Sequence, residues 1–322
     1  MTAGTLSHRD PFPAAALRDG AAAGAAVEER RRAYRSAQLP PPAPPQRQDA
    51  GKALWAAWLP APDGGARPDE STEDGLNGRV DLRERFPRAY AIDAQQTDFR
   101  DDAVSWCTSS TTLVVHIIDL DPVVCAGSPL DEVARLRLQT LYDGAMPLHM
   151  LPPSLLREAS LSSKLPNECV SALLQLDAFG RVRHARLVRS LVPPVRTLTF
   201  AEVDALLDDK SVSSQIHAEL RALASMAKRR VMARDPAGRG GPAVVRWTRQ
   251  RGDAPWQPEL VPKTPARCLV DEALSLYSYA ARGAGKRNNL LRLPQSENHR
   301  IATAPLRRYV FRERACYMLS DL

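Results

Sequence analysis

Four aspartates are crowded into one short stretch of the chain, residues 90–106. They are Asp93, Asp98, Asp101 and Asp102. Two carboxylates about 4 Å apart repel each other by roughly 4 kcal/mol at the effective dielectric of a protein surface. A Mg²⁺ ion offsets that cost, because it prefers carboxylate and phosphate oxygens as ligands. A solvated acidic turn is the alternative interpretation of the same residues.

The apolar run that follows the aspartates, residues 113–119, predicts a buried strand. A strand in the core would hold the acidic loop in place, which favours the metal site over the solvated turn. His116 lies inside this run and has no partner at metal-ligand spacing. We therefore interpret it, like His149, as a packing or hydrogen-bonding residue.

Local signals place further elements around this centre. Ser128 and Pro129 have the residue types of a helix N-cap and a first helical position. Thr199 and Glu202 have the spacing of a capping box, which predicts the start of a second helix. A further helix is predicted to begin at Pro265.

A hairpin is predicted at residues 172–177 and 182–192, with Gly180 as the left-handed turn residue. Arg181 and Arg183 fall on one face of its second strand, because strand side chains alternate with period two. The two arginines could form a track for phosphates. An ordinary solvated strand face has the same pattern.

The composition agrees with a polyanionic partner. The 322 residues carry 44 Lys and Arg against 37 Asp and Glu, a formal net charge of +7. The five cysteines are scattered without a Cys-x-x-Cys pair, which excludes a zinc or disulfide framework and favours a reducing compartment. Because no apolar run approaches the roughly 20 residues that cross a bilayer, we expect a soluble protein.

Residues 1–78 are rich in Ala, Pro and charged residues and include the proline run 40–45. This composition predicts a largely disordered lead-in and linker. An organelle transit peptide is a second interpretation, against which Asp10, Asp19 and Glu28 argue. The folded part is expected to cover residues 79–322.

Two motifs resemble the catalytic domain of the ribonuclease II and R family, the RNB domain. The first is Ile92-Asp93, then Thr97, then Asp101-Asp102-Ala103, followed by the strand 115–119. The second is Thr303-Ala304-Pro305-Leu306-Arg307-Arg308-Tyr309, similar to the family pattern Thr-Ser-Pro-Leu-Arg-Arg-Tyr. The cyanobacterial and organellar branch is the most similar variant, and the resemblance runs in order from residue 79 to 309.

The resemblance implies an α+β fold with a mixed or antiparallel sheet surrounded by helices. It also implies a Mg²⁺-dependent 3′→5′ exoribonuclease that takes single-stranded RNA, as a monomer, in the cytoplasm, a chloroplast or a mitochondrion. The implied metal ligands are Asp93, Asp98, Asp101 and Asp102. The implied catalytic residues are Asp101, Arg307, Tyr142 and Glu272. The implied RNA contacts are Tyr142, Arg181, Arg183, Arg307 and Arg308.

The chain departs from the family pattern in several places. Phe99 stands at the third acidic position, with Asp98 one residue early. Few residues separate Gln295 from Thr303 where the family has a long stretch, and the pattern after Tyr309 differs. Two other interpretations therefore stay open: a degenerate homologue that binds RNA or a protein partner without cleavage, and an incomplete gene product.

Overall fold

The structure is a computed structural model that describes residues 78–124, 127–140, 147–209, 211, 214–234, 243–248, 257–287 and 303–307. Several predictions fall outside the described residues: the lead-in before Gly78, the contacts of Tyr142 and Arg308, and the shortened stretch after Gln295. The domain boundary near residue 79 stays a prediction.

Within the described residues the core is one mixed sheet. Its strands are β1 (Val80–Asp81), β2 (Ala89–Asp93), β3 (Asp102–Cys107), β4 (Thr112–Ile118), β5 (Asn167–Leu176), β6 (Val182–Val192) and β7 (Val195–Thr199). Their order in the sheet is β1-β6-β5-β4-β3-β2-β7. The pairs from β2 to β6 are antiparallel, whereas β1 and β7 join the two edges in parallel. A separate ribbon pairs β8 (Ala243–Thr248) with β9 (Gln257–Pro262).

Five helices accompany these strands in the described part of the chain. They are α1 (Pro129–Arg137), α2 (Pro153–Ala159), α3 (Phe200–Asp208), α4 (Gln215–Arg234) and α5 (Pro265–Arg287). Both predicted caps are confirmed: Ser128 Oγ accepts from the Asp131 N–H, and Thr199 and Glu202 form a complete capping box. None of the helices described is long and apolar enough to cross a membrane. The α+β class predicted from the sequence is confirmed.

The sheet is covered on both faces. Every residue of β4 is buried, as expected for a strand with an apolar layer on each side. One face, with Ile92 and Val104, packs against α3, α4 and α5 and is called the α3–α5 face. The other face, with Ala91 and Ala103, packs against α1 and α2 and is called the α1–α2 face. Leu306 is buried in this second layer and so connects residues 303–307 to the sheet.

Candidate functional site

The acidic residues lie where β2 ends and β3 begins, at the end of the sheet called here the acidic end. Asp93 is the last residue of β2, and Asp102 is the first residue of β3. The register that pairs Tyr90 with Val104 leads Asp93 and Asp101 toward each other, three residues further along. Because strand side chains alternate with period two, both aspartates fall on the α1–α2 face. The structure therefore brings these two predicted site residues together.

Asp101 anchors the second sequence motif. Its side chain is fully buried; Oδ1 accepts from the Leu306 N–H at 2.8 Å, and Oδ2 accepts from Arg307 Nε at 2.7 Å. Its backbone carbonyl accepts from the Ile118 N–H, which ties it to β4. Burial raises the pKa of Asp101, and the charge of Arg307 opposes this rise. Asp101 thus joins two segments that are 206 residues apart.

Arg307 is fixed through its backbone, and its side chain is partly exposed. Its own N–H donates to the Ala304 carbonyl, and its carbonyl accepts from the Thr140 N–H at 2.8 Å. The neighbouring Leu306 is completely buried in the α1–α2 layer. The Arg307 side chain is nevertheless 40% exposed. A buried carboxylate therefore orients a guanidinium that reaches the protein surface.

Asp93 is accompanied by a second arginine, Arg100, whose Nε lies 3.8 Å from Asp93 Oδ2. Burial raises the pKa of Asp93 to about 6, against the charges of Arg307 and Arg100, while Asp101 adds to the rise. Sequence reasoning missed Arg100. The available signal was that it is the single cation between Asp93 and Asp102.

The position where the family pattern has a third acid is occupied by a partly buried aromatic ring. Phe99 packs against the α1–α2 layer and meets His149 edge-on, with ring centroids 5.2 Å apart. Burial lowers the pKa of His149, and the nearby charge of Asp98 opposes this. Asp98 itself is exposed. The interpretation of His149 as a packing residue agrees with this contact.

The described side chains do not fit a Mg²⁺ site well. Among the residues that the structure describes, no group of three or more His, Cys, Asp or Glu is arranged to hold a metal ion. Both oxygens of Asp101 already accept N–H donors, whereas Mg²⁺ requires oxygen ligands in near-ideal octahedral geometry. Asp102, partly exposed at the start of β3, is paired in register with Ile117.

Three other predicted site residues lie away from the acidic end. Glu272 is buried on α5, which packs on the opposite α3–α5 face, and binds Arg230 Nε at 3.1 Å together with Arg234. Arg181 and Arg183 are exposed at the β5–β6 turn, where β5 ends. The structure does not bring these three residues together with Asp101 and Arg307.

Comparison with known proteins agrees with this arrangement. The sequence profile of the RNB domain matches residues 79–258, which are 180 of the 322 residues. The chain belongs to the RNB domain family. The match ends before Glu272 and Arg307, so what is said of these two residues is based on the structure and on the sequence motifs. Membership confirms the resemblance found in the sequence; the assignment to the cyanobacterial branch stays a prediction.

Relatives of this RNB domain include named ribonucleases. The chain is 32% identical over 168 residues to ribonuclease R of Acidithiobacillus ferrooxidans, covering 50% of this chain and 38% of that protein. It is 28% identical over 164 residues to the exosome complex exonuclease RRP44 homolog A of Arabidopsis thaliana, covering 49% and 17%. The chain thus spans well under half the length of these relatives.

Solved structures share the fold of this RNB domain. RNase R of Mycoplasma genitalium, in complex with ribose-methylated single-stranded RNA, matches with a TM-score of 0.57 at 16% identity, covering 69% of this chain and 36% of that chain. Yeast Ssd1, described as a pseudonuclease, matches with a TM-score of 0.59 at 14% identity, covering 78% and 41%. The same fold therefore occurs in an RNase R and in a pseudonuclease.

Proposed function

We propose that this RNB domain binds single-stranded RNA at its acidic end without hydrolysing it. The observation that carries the proposal is the Asp101–Arg307 pair, a buried carboxylate that orients a surface guanidinium. The net charge of +7 supports a polyanionic partner. Phe99, partly buried against the α1–α2 layer where the family pattern has an acid, supports binding without cleavage.

Arg307 is the residue to which we assign phosphate binding. The guanidinium is planar and can present two parallel N–H donors to a phosphate. Arg307 Nε donates to Asp101, and this hydrogen bond orients a guanidinium whose side chain is 40% exposed. Asp101 acts as the positioning residue of this proposal. Tyr142 and Arg308, outside the described residues, stay predicted RNA contacts.

A second candidate function is the 3′→5′ exoribonuclease that the sequence predicts, a Mg²⁺-dependent enzyme that releases nucleotides from single-stranded RNA. The convergence of Asp93 and Asp101 beside Arg307 favours it. When bound, Mg²⁺ would supply a Lewis acid beside Asp93 and Asp102. Glu272 is not part of either proposal, because it binds Arg230 and Arg234 on the other face.

We further propose that the protein acts as a monomer in a reducing compartment, the cytoplasm or an organelle. Within the described residues, Cys107 and Cys169 are free thiols.

The proposal is tested by comparing the wild-type chain with Arg307→Gln in a salt titration of single-stranded RNA binding. A charge-assisted hydrogen bond contributes about 1.5–3 kcal/mol, so we expect Arg307→Gln to weaken binding roughly ten- to a hundredfold. The log–log salt slope should fall by about 0.7, the contribution of one phosphate contact on a single strand. Arg135→Gln is the matched control, because Arg135 forms an exposed ion pair with Glu132 on α1.

A cleavage assay on the same RNA separates the two candidate functions. Wild type and Asp101→Asn are incubated with end-labelled RNA, with Mg²⁺ and with a chelator. We expect binding by the wild type and no shortening of the strand. Mg²⁺-dependent shortening that Asp101→Asn abolishes would establish the exoribonuclease, whereas an Arg307→Gln variant that binds like wild type would refute the phosphate role.

A further inference from the structure

We propose that Arg100 takes the place of a metal ion at the acidic end, so that the chain neutralises its own carboxylates and excludes divalent cations. The inference rests on the proposed function, since it explains how an RNB domain could keep its aspartates without metal-dependent hydrolysis. It concerns a residue that neither the family motif nor the sequence analysis assigns to any role.

Arg100 is held in position by its backbone. Its N–H donates to Ser160 Oγ at 2.8 Å, and its carbonyl accepts from the Leu161 N–H at 3.1 Å. Ser160 is the C-cap residue of α2, so both backbone groups of Arg100 are bonded to the segment that follows that helix. The preceding residue, Phe99, is packed into the α1–α2 layer. The loop therefore cannot easily carry Arg100 away from Asp93.

The Arg100 side chain contributes charge rather than a hydrogen bond. Its Nε lies 3.8 Å from Asp93 Oδ2, and no hydrogen-bond partner of this atom occurs among the described residues. A guanidinium can nevertheless act on a carboxylate at this distance through its full positive charge. The side chain is about as exposed as that of Asp93, so the pair is partly shielded from solvent.

Each of the two converging carboxylates at the acidic end has a guanidinium beside it. Arg307 Nε donates to Asp101, and Arg100 Nε lies 3.8 Å from Asp93, a carboxylate on which the charge of Arg307 also acts. A divalent cation placed between Asp93 and Asp101 would approach two guanidinium groups. It would also have to share Asp101 with the Leu306 N–H and Arg307 Nε. Arg100 is the guanidinium to substitute in a test, because Arg307 is also hydrogen-bonded to Asp101.

The inference is tested by Mn²⁺ binding to the full chain, followed by electron paramagnetic resonance of the free ion, with no RNA present. We expect no saturable site in the wild type. Arg100→Gln should gain one site, with an affinity at least about tenfold higher than any binding by wild type. The gained site should disappear in the double variant Arg100→Gln/Asp93→Asn. Arg135→Gln, which removes an exposed arginine on α1, should behave like wild type.

Two results would overturn the inference: saturable Mn²⁺ binding by the wild type that Asp93→Asn abolishes, or the absence of a gained site in Arg100→Gln. Where Arg100→Gln does not fold, Arg100→Met preserves the apolar stem and removes the same charge. Arg100→Lys keeps the charge and should gain no site. Because these titrations contain no RNA, their failure and the failure of the RNA-binding proposal are distinguishable.

Discussion

Two arginine–aspartate pairs in this molecule have the same length and different surroundings. Arg79 Nη2 lies 2.7 Å from Asp119 Oδ2, with side chains that are 7% and 2% exposed. Arg307 Nε lies 2.7 Å from Asp101 Oδ2, with side chains that are 40% and 0% exposed. Both side chains of the first pair are buried, so this contact stabilises the fold. In the second pair the arginine reaches the surface, and the same contact can therefore act on a ligand.

The largest predicted effect comes from replacing the aspartate of each pair by alanine. Asp119→Ala leaves the buried Arg79 with only the partly exposed Glu168, at 3.3 Å, as an ion-pair partner. Breaking a buried pair typically costs about 3–5 kcal/mol. Asp101→Ala leaves Arg307 where water can reach it and removes the acceptor of the Leu306 N–H, a loss of about 1–3 kcal/mol. Urea unfolding should show the larger drop in the free energy of unfolding for Asp119→Ala.

An exposed aspartate from the same acidic loop provides the control. Asp98→Ala should change the free energy of unfolding by no more than about 0.5 kcal/mol, as is usual for surface substitutions. Equal losses for Asp119→Ala and Asp101→Ala would show that the exposure of the arginine does not distinguish the pairs.

A third polar cluster on the sheet sharpens the comparison because it is uncharged. His116 Nε2 lies 2.9 Å from Ser105 Oγ, and His116 Nδ1 lies 2.7 Å from Ser171 Oγ. Ser171 and Ser190 continue the row with a distance of 2.6 Å between their hydroxyl oxygens. All four residues are completely buried. Burial lowers the pKa of His116 from its usual 6.5 to about 3.

Lowering the pH should therefore reduce the free energy of unfolding because of His116. Below pH 6.5 the unfolded chain takes up a proton at this residue, whereas the folded chain does not until about pH 3. The free energy of unfolding is unaffected by His116 above pH 6.5 and falls by about 1.4 kcal/mol per pH unit below it. The loss is therefore roughly 3 kcal/mol at about pH 4.5. Unfolding of wild type and of His116→Gln, which cannot take up the proton, should be measured across this range. Parallel pH profiles for the two proteins would contradict the buried neutral histidine.

The features that the sequence predicted correctly depend on local patterns. The run 113–118 is apolar on both faces except at His116, and this pattern predicts the buried strand β4. Ser128 and Thr199 cap helices through atoms three residues away, and Gly180 takes a positive φ of 77° within a single turn. The sequence motifs named both Asp101 and Arg307 as site residues, and the contact between them is seen only in the structure.

The features that the sequence did not predict depend on contacts between distant segments. Residues 94–101 have no periodicity that would show which side chains turn inward. The choice of Phe99 for the core and Arg100 for Asp93 depends on His149 and Ser160, some 50 to 60 residues away. Glu272 lies on an amphipathic helix, and the helical period alone does not specify which face of the sheet that helix covers.

The smallest predicted effect concerns the arginines at the other end of β5. This strand has ten residues, so roughly 30 Å separates the acidic end from the β5–β6 turn at about 3.3 Å per residue. At the turn, Arg181 lies over the ring of Phe179, with its Cζ 5.7 Å from the ring centroid, and Phe179 is 68% exposed. Arg183 Nε lies 3.8 Å from Asp177 Oδ2.

Arg181→Gln and Arg183→Gln should each weaken the binding of a long single strand only a few-fold and lower its salt slope by about 0.7, because each removes one phosphate contact. A dinucleotide bound at Arg307 is too short to reach the turn, so neither variant should change its affinity, whereas Arg307→Gln should weaken both ligands. Arg196→Gln, which removes an exposed arginine from β7, is the matched control in the same titrations. Loss of dinucleotide binding in Arg183→Gln would place the two groups of arginines in one site. Unchanged binding of the long strand in both variants would show that Arg181 and Arg183 belong to an ordinary solvated face. RNA would then contact Arg307, which Asp101 orients at the acidic end, and not the exposed arginines of the turn.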